Sequence, residues 1–200
     1  MIKDSKKLQV KDLVTIGIFT AVYFVLNVIV MVCGGFAPPV WIFMPAILSI
    51  ICGVVYSPLT AKVQKGGAVF IMGMITALIY SVRGSFVLVL LVTYLVSSLL
   101  AEAVRKKTGY NSIKGNIISY AFFSLGMTGD VLPVWMFREE STAQMVSKDM
   151  PQDYIDALNA FTSPAVLIIM LAATFILAFA GGYLGRAIMK KHLEKAGMVS

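Results

Sequence analysis

Six predominantly apolar runs, at 13–33, 40–57, 67–82, 85–104, 117–137 and 164–185, leave this 200-residue chain little choice of surroundings. A helix needs about 20 apolar residues to cross the hydrocarbon core of a bilayer, and it satisfies its own backbone polar groups while doing so. The runs therefore predict an all-α polytopic membrane protein with six transmembrane helices, forming one membrane domain over residues 1–200. Composition agrees: 58% of residues are hydrophobic and 14% charged, against about half and a quarter in soluble domains. Roughly 80 residues remain for connections once six helices of this length are counted, which leaves no room for a soluble catalytic domain.

The breaks between runs carry their own signals. A Gly-Gly-Phe-Ala-Pro-Pro turn at 34–39 ends the first run, Pro58 ends the second, and only Arg83 and Gly84 separate the third from the fourth. So short a link predicts that those two helices are adjacent and antiparallel. The first run follows a Lys-rich start, but its 21 residues exceed the apolar stretch of a signal peptide, and it is read as a retained helix. Within the polar stretch 138–163, Tyr154, Ile155, Leu158 and Phe161 recur at helical spacing, which predicts a short surface helix over 151–161.

Orientation follows from the basic residues. With both termini on one side, that side carries fourteen of the seventeen Lys and Arg and the other carries three, so both termini are expected in the cytoplasm of a cell-membrane protein. The same clustering between apolar runs explains the formal charge of +7 without nucleic acid. Cys33 and Cys52 lie in different runs and the single histidine, His192, lies in the tail, so neither a disulfide framework nor a metal site is expected. No nucleophile elbow, zinc-protease motif or phosphate-binding loop occurs, so no catalytic residue is assigned and the chain is not expected to be an enzyme.

Asp130 is the most informative position, since it lies thirteen residues into the fifth run and seven from its outer end. An ionised carboxylate at mid-membrane costs about 2.5–3.5 kcal/mol on insertion scales; it either bonds a neighbouring helix or meets a ligand entering from outside. Gly126, Gly129 and Pro133 surround it and predict a kinked or locally opened helix. Arg83, at the same outer level, either pairs with Asp130 or an anionic ligand group, or snorkels to the headgroups. Tyr80, Asn27, Trp41 and Trp135 share that level. For the tryptophans an aromatic belt is the competing account, but together these residues are candidates to line a pocket with few polar contacts. Glu102, beside Arg105 and Lys106, reads as an interfacial salt link.

Small residues four apart occur at Gly17 and Ala21, at Gly73 and Ala77, at Ala178 and Gly182, and at Gly181 and Gly185. Such pairs let helices approach closely. Packing within the bundle is the reading for the third and sixth runs; Gly17 and Ala21 are equally suited to meeting another subunit.

Taken together, the length, the six runs, the basic start leading from Lys-Asp-Leu-Val-Thr into Ile-Gly-Ile-Phe-Thr-Ala-Val-Tyr, and Gly-Gly-Phe-Ala-Pro-Pro in the first outer loop resemble the S components of energy-coupling factor (ECF) transporters, in the MptD-like or Trep_Strep group. The resemblance covers the whole chain. It implies a substrate-binding subunit that captures a small vitamin- or cofactor-like molecule from outside. It also implies delivery inward when the chain is docked on a transmembrane coupling (T) subunit carrying two ATPases. Gly17 and Ala21 match that family's docking motif, with glycine where alanine is usual. The chain would hold no cofactor of its own, and ATP would be hydrolysed by the partners. The competing readings are a ligand-free structural or regulatory membrane subunit and a self-sufficient secondary transporter.

Overall fold

The computed structural model describes residues 7–34, 37–82 and 86–195. The first run forms α1 (Val10–Gly34). A short helix α2 (Pro38–Ile42) leads into α3 (Met44–Ile51) and α4 (Gly53–Lys62), which meet at Cys52 with a bend of 46°. Pro58 does not end the second run as its chemistry suggests; it lies inside α4. Its missing N–H forfeits one helical bond, and the close packing of α4 on the last helix compensates. The third and fourth runs form α5 (Ala68–Ser81) and α6 (Val87–Thr108), which pack side by side.

The fifth run is broken. Helix α7 (Ile113–Ser124) passes into a 3-10 segment, Leu125–Asp130, and then into the single turn α8 (Pro133–Met136). The polar stretch folds as two helices, α9 (Arg138–Ser147) and α10 (Gln152–Ala160). Of these α10 is the helix read from the sequence, whereas α9 is an addition. Helix α11 (Pro164–Lys195) continues well past the apolar run into the basic tail.

Among the described residues three helical stretches, Val10–Cys33, Val87–Thr108 and Pro164–Lys191, are long and apolar enough to cross a membrane, or four where the bent α3–α4 pair is counted as one span. The 14 residues of α5 rise only about 21 Å, less than a hydrocarbon core of about 30 Å. The fifth run is interrupted before it reaches that length. The six runs read from hydropathy thus correspond to long, bent, short and broken helices, and the break in the fifth falls where Gly126 and Gly129 interrupt it.

Backbone contact holds the bundle together. A Cβ on Gly53 would collide with the backbone of Gly181, one on Gly181 with the Ser49 carbonyl, and one on Gly185 with the Gly53 carbonyl. Only glycines let α11 lie directly on α3 and α4. On the neighbouring seam, a Cβ on Gly73 would come within 2.9 Å of Ser98 Cβ, so α5 also packs closely on α6, though against a side chain rather than backbone. Inside, Tyr23, Tyr56 and Tyr94 are buried around Phe123, and buried Tyr120 packs on Tyr56. Buried hydroxyls away from water need partners: Tyr120 donates to the Ser49 carbonyl (2.7 Å), Tyr56 pairs with Ser119 (2.6 Å), and Tyr94 donates to the Met127 sulfur (3.4 Å).

At the end of the bundle that holds the basic segments, Arg105 is fully buried. Its Nε donates to Asn116 (3.0 Å) and its Nη2 to the Val63 carbonyl (2.9 Å), Glu102 stands 3.8 Å from Nη1, and the Tyr110 ring lies over the guanidinium. The Glu102–Arg105 link read from the sequence is present within α6, but Arg105 is buried rather than interfacial, and its two hydrogen bonds tie α6 to the end of α4 and to α7. On the same side Lys65 pairs with Asp12 at 2.7 Å and pins the first turn of α1 to the α4–α5 connection.

Candidate ligand pocket

The break in the fifth run builds a cavity. Gly126 and Gly129 bring the 3-10 segment against α6: a Cβ on Gly126 would lie 2.6 Å from the Tyr94 ring, and one on Gly129 2.8 Å from Leu90 Cα. Thr93 Oγ1 donates to the Gly126 carbonyl at 3.0 Å and satisfies one backbone group that the lost helical pattern releases. The segment ends on Asp130, and Pro133, which is pre-set for a first helical turn, starts α8.

Beyond it the chain doubles back over its own break. Leu158 of α10 is buried with Ile42, Val134 and Met170 in a second apolar cluster, which clamps α10 onto α2 and α11. Arg138 Nη2 donates to the Asn159 carbonyl (2.9 Å) and ties the start of α9 to the end of α10. The turn between them uses Asp149 with φ of +55°, a backbone setting that Asp tolerates better than most residues.

Under α9 and α10 lies a cavity of about 270 Å³. One part of its wall is apolar: Met31 from α1, Trp41 from α2, and Phe86 and Leu90 at the start of α6. Phe86 takes a φ of +47°, uncommon for a bulky residue, and its ring stacks on Phe137 with centroids 5.6 Å apart. Asp130 enters from the 3-10 segment; Ser141, Gln144, Met145 and Lys148 enter from α9 and its cap; Tyr154 enters from α10. Burial raises the Tyr154 phenol above its ordinary value, so it stays a neutral hydrogen-bonding group at physiological pH.

The residues singled out from the sequence separate here. Asp130 and Trp41 line the cavity. Trp135 does not line the cavity but packs against the second cluster, its indole N–H donating to the Ser163 carbonyl at 3.0 Å. Tyr80 is buried against Phe24 and does not line the cavity. Asn27 is fully buried in the core, its amide donating to the Tyr23 carbonyl (2.7 Å) and lying 3.5 Å from the Cys52 sulfur. Arg83 lies outside the described residues.

Helical position explains these departures, since residues at one level along the bundle still point to different sides of their helices. The polar lining residues that sequence reasoning passed over, Ser141, Gln144 and Lys148, carry one legible signal. Their spacing of three and four puts them on one face of a helix.

The described residues thus define an integral membrane protein of packed helices with a part-polar pocket at one end, covered by two short helices. Residues 10–195 match the family described as hypothetical bacterial integral membrane protein (Trep_Strep), and the chain belongs to that family. Neither the curated proteins nor the solved structures contain a match to it.

Proposed function

We propose that the chain is the substrate-binding S component of an ECF-type importer, taking a small vitamin- or cofactor-like molecule into the pocket from outside the cell. The observation that carries this reading is the pocket itself, a largely apolar cavity with few polar groups, built at a helix break and roofed by α9 and α10. Ligand sites of small molecules have this composition, and unwound backbone inside a membrane protein is tolerated where it lines a cavity. In this reading the six crossings are α1, the α3–α4 pair, α5, α6, the broken fifth run and α11, with both termini in the cytoplasm. Asp130 and Trp41 orient and cover the ligand. In this reading transport is driven by a coupling subunit and two ATPases, since the chain carries no nucleotide-binding motif of its own and Asp130 is a single intramembrane carboxylate where ion coupling usually needs more.

A second support is the outward face of α1. Gly17 and Ala21 are exposed, and a Cβ on Gly17 would meet nothing within 4 Å. The small residues make a shallow seat for another helix, set among exposed Val14, Ile18 and Val25.

Two measurements test the reading. Mass spectrometry of protein purified in mild detergent is expected to find one small organic molecule per chain, and Asp130→Asn is expected to lower its retention about tenfold or more with thermal stability unchanged. An empty protein that a panel of cofactors does not stabilise would instead favour the ligand-free subunit, as would an Asp130→Asn chain that fails to fold. For orientation, Cys33 is exposed and Cys52 buried, so a membrane-impermeant maleimide added to intact cells should label Cys33; labelling only after lysis would reverse the topology.

A further inference from the structure

The groups that α9 turns into the cavity differ in kind from the rest of the wall. Ser141 is 4% exposed, and its hydroxyl has no hydrogen-bond partner within the protein. Leaving such a group unsatisfied costs free energy that a bound molecule recovers. Gln144 follows one turn later and Lys148 caps the helix at the rim, so three donors follow one edge of the cavity. The acidic neighbours Glu139, Glu140 and Asp149 do not line it. Opposing this stripe in chemistry is the apolar surface of Met31, Trp41, Phe86 and Leu90.

We infer that the pocket selects an amphipathic organic carboxylate: an apolar, ring-bearing body lies against Trp41 and Phe86, and its carboxylate is received by Ser141, Gln144 and Lys148. An ionised acceptor makes the stronger hydrogen bonds with such donors, and one lysine matches the single charge of a carboxylate better than the double charge of a phosphate. Asp130 enters from a different segment and suits a hydrogen-bond donor on the body of the molecule, away from its carboxylate, so the two charged residues together favour one orientation. This inference rests on the pocket being a ligand site, as proposed above.

The test compares two probes that differ only in the acid group, dansylglycine and dansylglycinamide. Binding to the full chain in phosphatidylcholine nanodiscs is read by energy transfer from tryptophan, with empty nanodiscs as the background and Trp41→Phe to locate the signal. Dansylglycine is expected to bind about tenfold tighter than its amide. Lys148→Met and Ser141→Ala should each pull that ratio toward one, lowering affinity for the acid several-fold more than affinity for the amide, whose carbonyl accepts more weakly from the same donors. Equal binding of the two probes by the native chain would overturn the carboxylate assignment and leave the pocket standing as a ligand site. Binding of neither above the empty-disc background would overturn both.

Discussion

Replacing Arg105 by Ala is expected to destabilise the protein by about 3–5 kcal/mol, the cost of breaking a buried charged network by removing one partner. The guanidinium is wholly enclosed, and it supplies hydrogen bonds both to the Val63 carbonyl at the end of α4 and to Asn116 in α7. Truncation strands those two acceptors and leaves the Glu102 carboxylate, 3.8 Å away, without its counter-charge. Arg105→Lys keeps the charge but lacks the planar fork that reaches two acceptors at once, so it should fall between the two. Arg105→Met combined with Glu102→Gln removes both charges and should recover part of the loss. Reversible unfolding in mixed detergent measures all four chains; an Arg105→Ala protein within about 1 kcal/mol of the native one would place Arg105 among ordinary interfacial charges.

The second large effect contrasts two small-residue motifs that look alike in the sequence. Gly181→Leu is expected to cost at least about 3 kcal/mol, at the upper end of overpacking penalties, because even its Cβ would collide with the Ser49 carbonyl and lie 3.0 Å from Ile50 Cα. Backbone atoms cannot step aside as a flexible side chain can, so α11 must lift off α3. Gly17→Leu meets open space and should leave folding and ligand binding intact. If the proposed function holds, it abolishes co-purification with the coupling subunit. Loss of folded protein in the Gly17→Leu chain would show instead that α1 packs there against its own bundle.

Much of the architecture is legible in local sequence because its causes are local. Gly126, Gly129 and Pro133 announce the break that places Asp130 at the cavity, and the spacing of Tyr154, Ile155 and Leu158 announces α10. The two-residue link at Arg83 and Gly84 announces the pairing of α5 with α6. What stays hidden is which face of each helix turns inward. In a soluble helix the inward face is apolar and the outward face polar, so periodicity reveals it. In α1, by contrast, the buried Ile16 and Tyr23 and the exposed Val14, Ile18 and Val22 are all apolar, since lipid and protein interior make the same demand.

That degeneracy is why Asn27 and Tyr80, level with Asp130 by residue count, sit in the core rather than at the cavity. It is also why the motif at Gly181 and the motif at Gly17 cannot be told apart until the helices are packed. The sequence alone determined that this is a chain of membrane helices, broken where glycine and proline interrupt the apolar runs, because hydropathy and backbone propensity act over a few neighbouring residues. Only the tertiary structure decided that α9 folds back to supply Ser141, Gln144 and Lys148 to the pocket, that Arg105 is a buried tie, and that Gly17 faces outward. Each of those outcomes depends on contacts between segments far apart in the chain, where apolar surroundings on both faces of a helix leave no sequence mark.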